Sequence, residues 1–123
     1  MHRKIIISGG GTGGHIFPAI SIAREIIARD PGTEILFVGA TGRMEMEKVP
    51  QAGFKIEGLP VEGLERRFTW RNILVVVNLF RSLRRARRII KAFQPDAVVG
   101  VGGYASGPVV RMAAKQGMTD ILA

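Results

Sequence analysis

Lys4-Ile5-Ile6-Ile7-Ser8-Gly9-Gly10-Gly11-Thr12-Gly13-Gly14-His15-Ile16-Phe17-Pro18-Ala19 opens on an apolar run, breaks into glycines and resumes with helix-period residues. Residues 3–8 read as a buried strand ending in glycines, and residues 16–28 as a helix closed by Asp30-Pro31-Gly32. Strand, glycine turn and helix in that order are the opening unit of a parallel sheet. The remainder of the chain keeps the alternation. Strands are expected at residues 34–39, 54–59, 97–101 and 119–122. Between them fall a short helix at 43–52, stopped near Pro50 and Gly53, a long one at 70–93, ended by Pro95, and one at 106–116, closed by Gly117. The β-branched stretch Ile73-Leu74-Val75-Val76-Val77 would suit a strand, but the helical period continues to Phe93, and that length decides for a helix. The fold class is therefore α/β, a doubly wound, Rossmann-like parallel sheet with right-handed crossovers.

A chain of 123 residues with 46% hydrophobic residues suits one compact domain with its own core. The last expected strand has no covering helix after it, so the sequence reads as one cut inside a larger fold. There is no cysteine and there are only two histidines, His2 and His15, which argues against a disulfide framework or a metal cluster. Gly9 shortens the N-terminal apolar run far below a signal-peptide core. No stretch reaches the roughly 20 apolar residues of a membrane span. A cytoplasmic protein, soluble or peripheral, is the expectation.

Residues 8–15 lie between the first strand and the first helix, where a parallel sheet places its ligands. Glycines allow a tight turn and close backbone approach, and the helix N-terminus offers free N–H groups with a partial positive charge, so an anion site is the economical reading. Gly9, Gly11 and Gly14 satisfy G-x-G-x-x-G, but in a glycine run that match is nearly automatic. A dinucleotide site wants an acidic residue at the tip of the second strand, where Val38-Gly39-Ala40-Thr41 has none, and a Walker loop wants lysine where His15 stands. His15 opens the helix, whose dipole favours the neutral imidazole, able to accept a proton or donate a hydrogen bond. A capping imidazole without chemistry fits the same position.

Gly100-Val101-Gly102-Gly103-Tyr104-Ala105-Ser106-Gly107-Pro108 repeats the arrangement after the fourth strand. In the order 3-2-1-4-5, strands one and four are neighbours, and both loops line one crevice. Two adjacent anion loops suggest two phosphate-bearing ligands, or one ligand with a pyrophosphate. Gly11-Thr12-Gly13-Gly14-His15-Ile16-Phe17-Pro18-Ala19 and Gly102-Gly103-Tyr104-Ala105-Ser106-Gly107-Pro108 together resemble the two glycine loops of the MurG glycosyltransferases, and Arg43-Met44-Glu45 and Val49-Pro50 between them are similar to the same family. The resemblance runs from Arg3 to Ala123. It implies the N-terminal, acceptor-binding half of a GT-B fold, truncated before the domain that holds most of the UDP-sugar and inactive by itself.

The reaction so implied is inverting transfer of GlcNAc from UDP-GlcNAc to the C4 hydroxyl of the lipid-linked muramoyl-pentapeptide acceptor, a step of peptidoglycan synthesis on which cell shape and division depend. Thr12, Gly13 and Gly14 would approach the donor diphosphate, Gly103, Tyr104, Ser106 and Gly107 the acceptor pyrophosphate, and His15 would be the catalytic or sugar-positioning residue. No cofactor and no bound metal is expected.

The net charge of +8 is concentrated: residues 66–91 hold nine Lys or Arg and no Asp or Glu. On the long helix Val75, Leu79, Leu83, Ala86, Ile90 and Phe93 form a core stripe, while the opposite face carries Ile73, Val77 and Phe80 followed by Arg84, Arg88 and Lys91. An apolar patch beside arginines suits an anionic membrane surface, so the expected location is the cytoplasmic face of the bacterial inner membrane. A solvated basic face with its apolar start covered is the plainer alternative. Two other classes compete, a nucleotide-binding module without chemistry and a nucleic-acid-binding domain. The second is disfavoured because few aromatics interleave with the arginines and the glycine loops would go unexplained, so no nucleic-acid partner is expected.

Overall fold

Apolar residues at successive positions of Ile5-Ile6-Ile7 leave the first strand no polar face, and a strand of that kind is stable only when covered on both sides. The computed structural model describes residues 3–10, 16–60, 73–103, 106–117 and 121–122. In it β1 (Lys4–Gly10) is the central strand of a five-stranded sheet ordered β3-β2-β1-β4-β5, with β2 (Glu34–Ala40), β3 (Lys55–Leu59), β4 (Ala97–Gly103) and β5 (Ile121–Leu122). Every pairing is parallel, and Ile6 stands level with Leu36 on one side and Val98 on the other. The start of the sheet is tied by a reciprocal pair: Lys4 N–H donates to the Asp96 carboxylate at 2.8 Å, and Asp96 N–H donates to the Lys4 carbonyl at 2.6 Å.

Strand alternation divides the core in two. Ile7, Ile35 and Phe37 face α1 (Ile16–Arg29) and α2 (Glu45–Gln51), meeting Ile16, Ala19, Ile20 and Val49. Ile6, Val38, Leu59 and Val98 face α3 (Ile73–Phe93) and α4 (Ser106–Lys115), meeting Ala86, Ile90, Val109 and Met112. Each fully buried isoleucine contributes about 1.5–3 kcal/mol. Helices on both faces of a parallel sheet are the doubly wound class read from the alternation.

The elements follow the sequence reading with shifts that have physical causes. β1 and β4 run two residues further than expected, into Gly9-Gly10 and Gly102-Gly103, because the neighbouring strand supplies ladder partners there, as in the level pair Gly10 and Gly103. α2 spans Glu45–Gln51 with Pro50 inside its last turn; the ring removes one intrahelical donor, and the helix ends one residue later. The stretch 73–77 is helical, as its length required. Of the expected core stripe on α3, Ala86 and Ile90 are buried, while Leu83 and Phe93 pack against the cluster partly covered. Ser82, which polarity alone would have placed outside, is fully buried between them without a hydrogen-bond partner for its hydroxyl.

Candidate functional site

β1 and β4 end side by side at the C-terminal edge of the sheet, where strand order reverses, and a bulge between Ser8 and Gly10 brings Gly10 level with Gly103. The approach is close. A Cβ built on Gly9 would lie 2.3 Å from Val101 Cγ2 and 3.1 Å from the Gly102 carbonyl oxygen, so glycine there is a packing requirement. Gly102 has φ +99°, a left-handed conformation that glycine adopts without strain. A Cβ on Gly107, by contrast, would meet none of the described residues within 4 Å.

Two helices begin at this edge. α1 starts at Ile16 and α4 at Ser106, each with proline as its third residue, Pro18 and Pro108, inside the first turn where an N–H has no intrahelical partner in any case. Neither has an acidic residue in its first turn, so no side chain of that turn offsets the positive end of either helix dipole. α2 behaves oppositely, with Glu45 and Glu47 in its first turn.

Glu45 is the site residue that the sequence reading undervalued. Its carboxylate is only 1% exposed and accepts a hydrogen bond from Ala40 N–H, at the tip of β2, at 3.1 Å. A carboxylate thus does reach the strand tip that lacks one in sequence, but it is buried and turned to the backbone, not presented to a ribose. Gly39 leaves it room, since a Cβ there would lie 2.6 Å from Glu45 Cγ. An acidic residue at a helix start is all that the sequence offers here, and it signals neither the burial nor the backbone partner.

Of the residues expected to act, Gly103 lies at the end of β4, and Ser106 and Gly107 in the first turn of α4. Thr12, Gly13, Gly14, His15 and Tyr104 lie outside the described residues. The expected docking residues come together on one side of α3: Ile73 is 72% exposed, Val77 43% and Phe80 65%, and Arg84, Arg88 and Lys91 are exposed further along. They are distinct from the strand-tip site. Among the described residues no helix is long and apolar enough to cross a membrane.

A family model described as the glycosyltransferase family 28 N-terminal domain matches residues 5–123. The chain belongs to that family. It is 61% identical over 119 residues to the UDP-N-acetylglucosamine–N-acetylmuramyl-(pentapeptide) pyrophosphoryl-undecaprenol N-acetylglucosamine transferase of Parabacteroides distasonis, an alignment covering 97% of this chain and 32% of the relative. The transferase of the same name from Bacteroides thetaiotaomicron is 57% identical, with the same coverage of both chains. Among solved structures, MurG of Acinetobacter baumannii superimposes with a TM-score of 0.78 at 23% identity, covering 97% of this chain and 33% of that one, which shows the shared fold. This family 28 domain spans about a third of the length of the curated relatives it matches.

Proposed function

We propose that this domain is the acceptor-binding half of an inverting glycosyltransferase that moves GlcNAc from UDP-GlcNAc to the C4 hydroxyl of undecaprenyl-pyrophosphoryl-MurNAc-pentapeptide. The observation that carries the reading is the pairing of strand tips, with Gly10 level with Gly103 and two helices whose first turns hold no acidic residue beginning at the same edge. Free N–H groups and aligned dipoles at one crevice are what a pyrophosphate needs, and they also stabilise the charge that develops on a leaving diphosphate. The printed names of the Parabacteroides and Bacteroides relatives supply the substrate pair.

In this account Gly103, Tyr104, Ser106 and Gly107 hold the acceptor pyrophosphate, and Thr12, Gly13 and Gly14 approach the donor diphosphate. His15 takes the proton from the attacking hydroxyl or positions the sugar. A second domain supplies most of the UDP-sugar contacts, and the present chain alone is inactive. The exposed Ile73, Val77 and Phe80 with Arg84, Arg88 and Lys91 dock the protein on the anionic cytoplasmic surface of the membrane that holds the acceptor.

The test is a chimera in which this chain replaces the matching N-terminal third of the Parabacteroides distasonis transferase. Transfer of labelled GlcNAc to the lipid acceptor at a rate within tenfold of the parent is expected. A folded chimera without transfer would overturn the proposal.

A further inference from the structure

Among the described residues β3 is an outer strand of the sheet, and one row of its backbone N–H and C=O groups has no described strand beside it. This free edge opens into a groove of about 1370 Å³ whose α3 wall carries Arg81, Arg84, Arg85 and Arg88 and whose β3 wall carries Lys55 and Glu57. The groove runs along the β3 edge, whereas the crevice proposed above lies between the central strands β1 and β4, and only Arg84 and Arg88 are shared with the proposed membrane face. With Glu34 at its lower end, five cations face two carboxylates. Both carboxylates are already engaged: Arg85 donates to Glu57 Oε2 at 3.2 Å, and Glu34 Oε2 lies 3.9 Å from Lys4 Nζ. Among the described residues no carboxylate pairs with Arg81, Arg84 or Arg88.

We propose that this groove binds an extended, acidic segment of a partner protein, which adds a strand to β3 and lays its carboxylates against the α3 arginines. Strand addition uses the unpaired edge for main-chain hydrogen bonds and leaves alternate side chains to set specificity. On β3 the alternation directs Lys55 and Glu57 to the α3 side, together with Leu59 of the core, so an added strand presents every second side chain to the arginine row. Acidic residues at those positions form charge-assisted pairs with guanidinium groups that now face water. A second copy of this chain is a poor occupant, because edge-to-edge pairing would bring two arginine rows together. A bilayer is also a poor one: a flat surface reaches Arg84 and Arg88 beside the exposed Val77 and Phe80, but not the backbone of a strand at the groove floor. Arg81 and Arg85 line the groove and do not belong to the proposed membrane face, so recognition is tested on them.

The probe is a seven-residue blocked peptide of alternating valine and glutamate, compared with a peptide of the same charge whose central valine is proline. Binding to this chain is followed by fluorescence anisotropy at low and high salt, and strand addition by hydrogen exchange at residues 55–59. The proposal expects salt-sensitive binding of the first peptide with slowed exchange along β3, and at least tenfold weaker binding of the proline peptide. Arg81→Glu with Arg85→Glu should weaken binding at least tenfold while vesicle binding is unchanged. If circular dichroism shows that pair unfolded, Arg81→Gln with Arg85→Gln is to give the same loss. Equal binding of both peptides would reduce the groove to a generic anion surface and overturn the proposal. So would absence of exchange protection, or protection of β3 by anionic vesicles alone.

Discussion

Gly39→Ala is the smallest change that tests how the strand-tip edge is built. The new Cβ would stand 2.6 Å from Glu45 Cγ, 3.2 Å from Ile56 Cδ1 and 3.3 Å from Glu45 Oε2. Carbon atoms rest at about 3.5–4.0 Å, so roughly 1 Å of movement is needed. If β2 moves, overpacking costs about 1–3 kcal/mol. If Glu45 moves, its bond from Ala40 N–H is lost and a buried donor is stranded, which costs about 1–3 kcal/mol. Either route predicts a loss of about 2 kcal/mol, a large share of the roughly 5–15 kcal/mol that holds a domain together. Glu45→Ala alone strands the same donor and costs about as much. In the double variant the methyl group enters space vacated by Glu45, with Ile56 Cδ1 at 3.2 Å as its nearest remaining neighbour, so the two losses do not add. The expected coupling is about 1–2 kcal/mol in favour of the double variant, measured by urea denaturation of the four proteins. Additivity within about 0.5 kcal/mol would refute the reasoning, because it would mean that Gly39 is not there to make room for Glu45.

Ser82→Ala removes a buried hydroxyl without a hydrogen-bond partner and adds helix propensity, so it should raise stability by about 0.5–1.5 kcal/mol in the same denaturation experiment. A loss of stability would show that the hydroxyl has a role in packing α3. Val77→Glu with Phe80→Glu should abolish binding to vesicles containing anionic lipid while leaving the melting temperature nearly unchanged, both side chains being exposed. Unchanged vesicle binding, or collapse of the fold, would remove the docking reading. In the transfer-competent chimera, His15→Ala should lower turnover by about 10²-fold or more, within the range of a positioned proton-transfer group. Near-normal turnover with an intact fold would leave His15 as a helix cap.

Fold class and strand order were legible because Ile5-Ile6-Ile7, Ile35-Leu36-Phe37-Val38 and Ala97-Val98-Val99 are apolar at successive positions and separated by helix-period stretches. Only a parallel sheet covered on both faces buries such strands. The exposed side of α3 was legible for a similar reason: residues 73–80 keep one helical phase with the arginines that follow. The β1 and β4 lengths were not, because glycines signal a turn locally, and only the neighbouring strand reveals that Gly9-Gly10 and Gly102-Gly103 still pair. The role of Glu45 was also out of reach. Its burial follows from Gly39, six residues earlier on another element, and no local pattern links a helix-start carboxylate to the backbone of the preceding strand. The arginines of α3 gave the sign of the surface but not the groove, which exists only because β3 is an outer strand.

The central claim is that the tips of β1 and β4 line one crevice, the β4 side holding the acceptor pyrophosphate and the β1 side approaching the donor diphosphate. It is tested most directly by titrating the labelled domain with a water-soluble, short-prenyl pyrophosphoryl-muramoyl-pentapeptide while following backbone amide resonances. The account predicts the largest shifts at Gly102, Gly103 and Gly107 and smaller ones at the adjoining Gly9 and Gly10, all saturating with a single dissociation constant, while residues 55–59 stay unmoved. Shifts confined to the β1 tip, or two tips saturating with different constants, would contradict it.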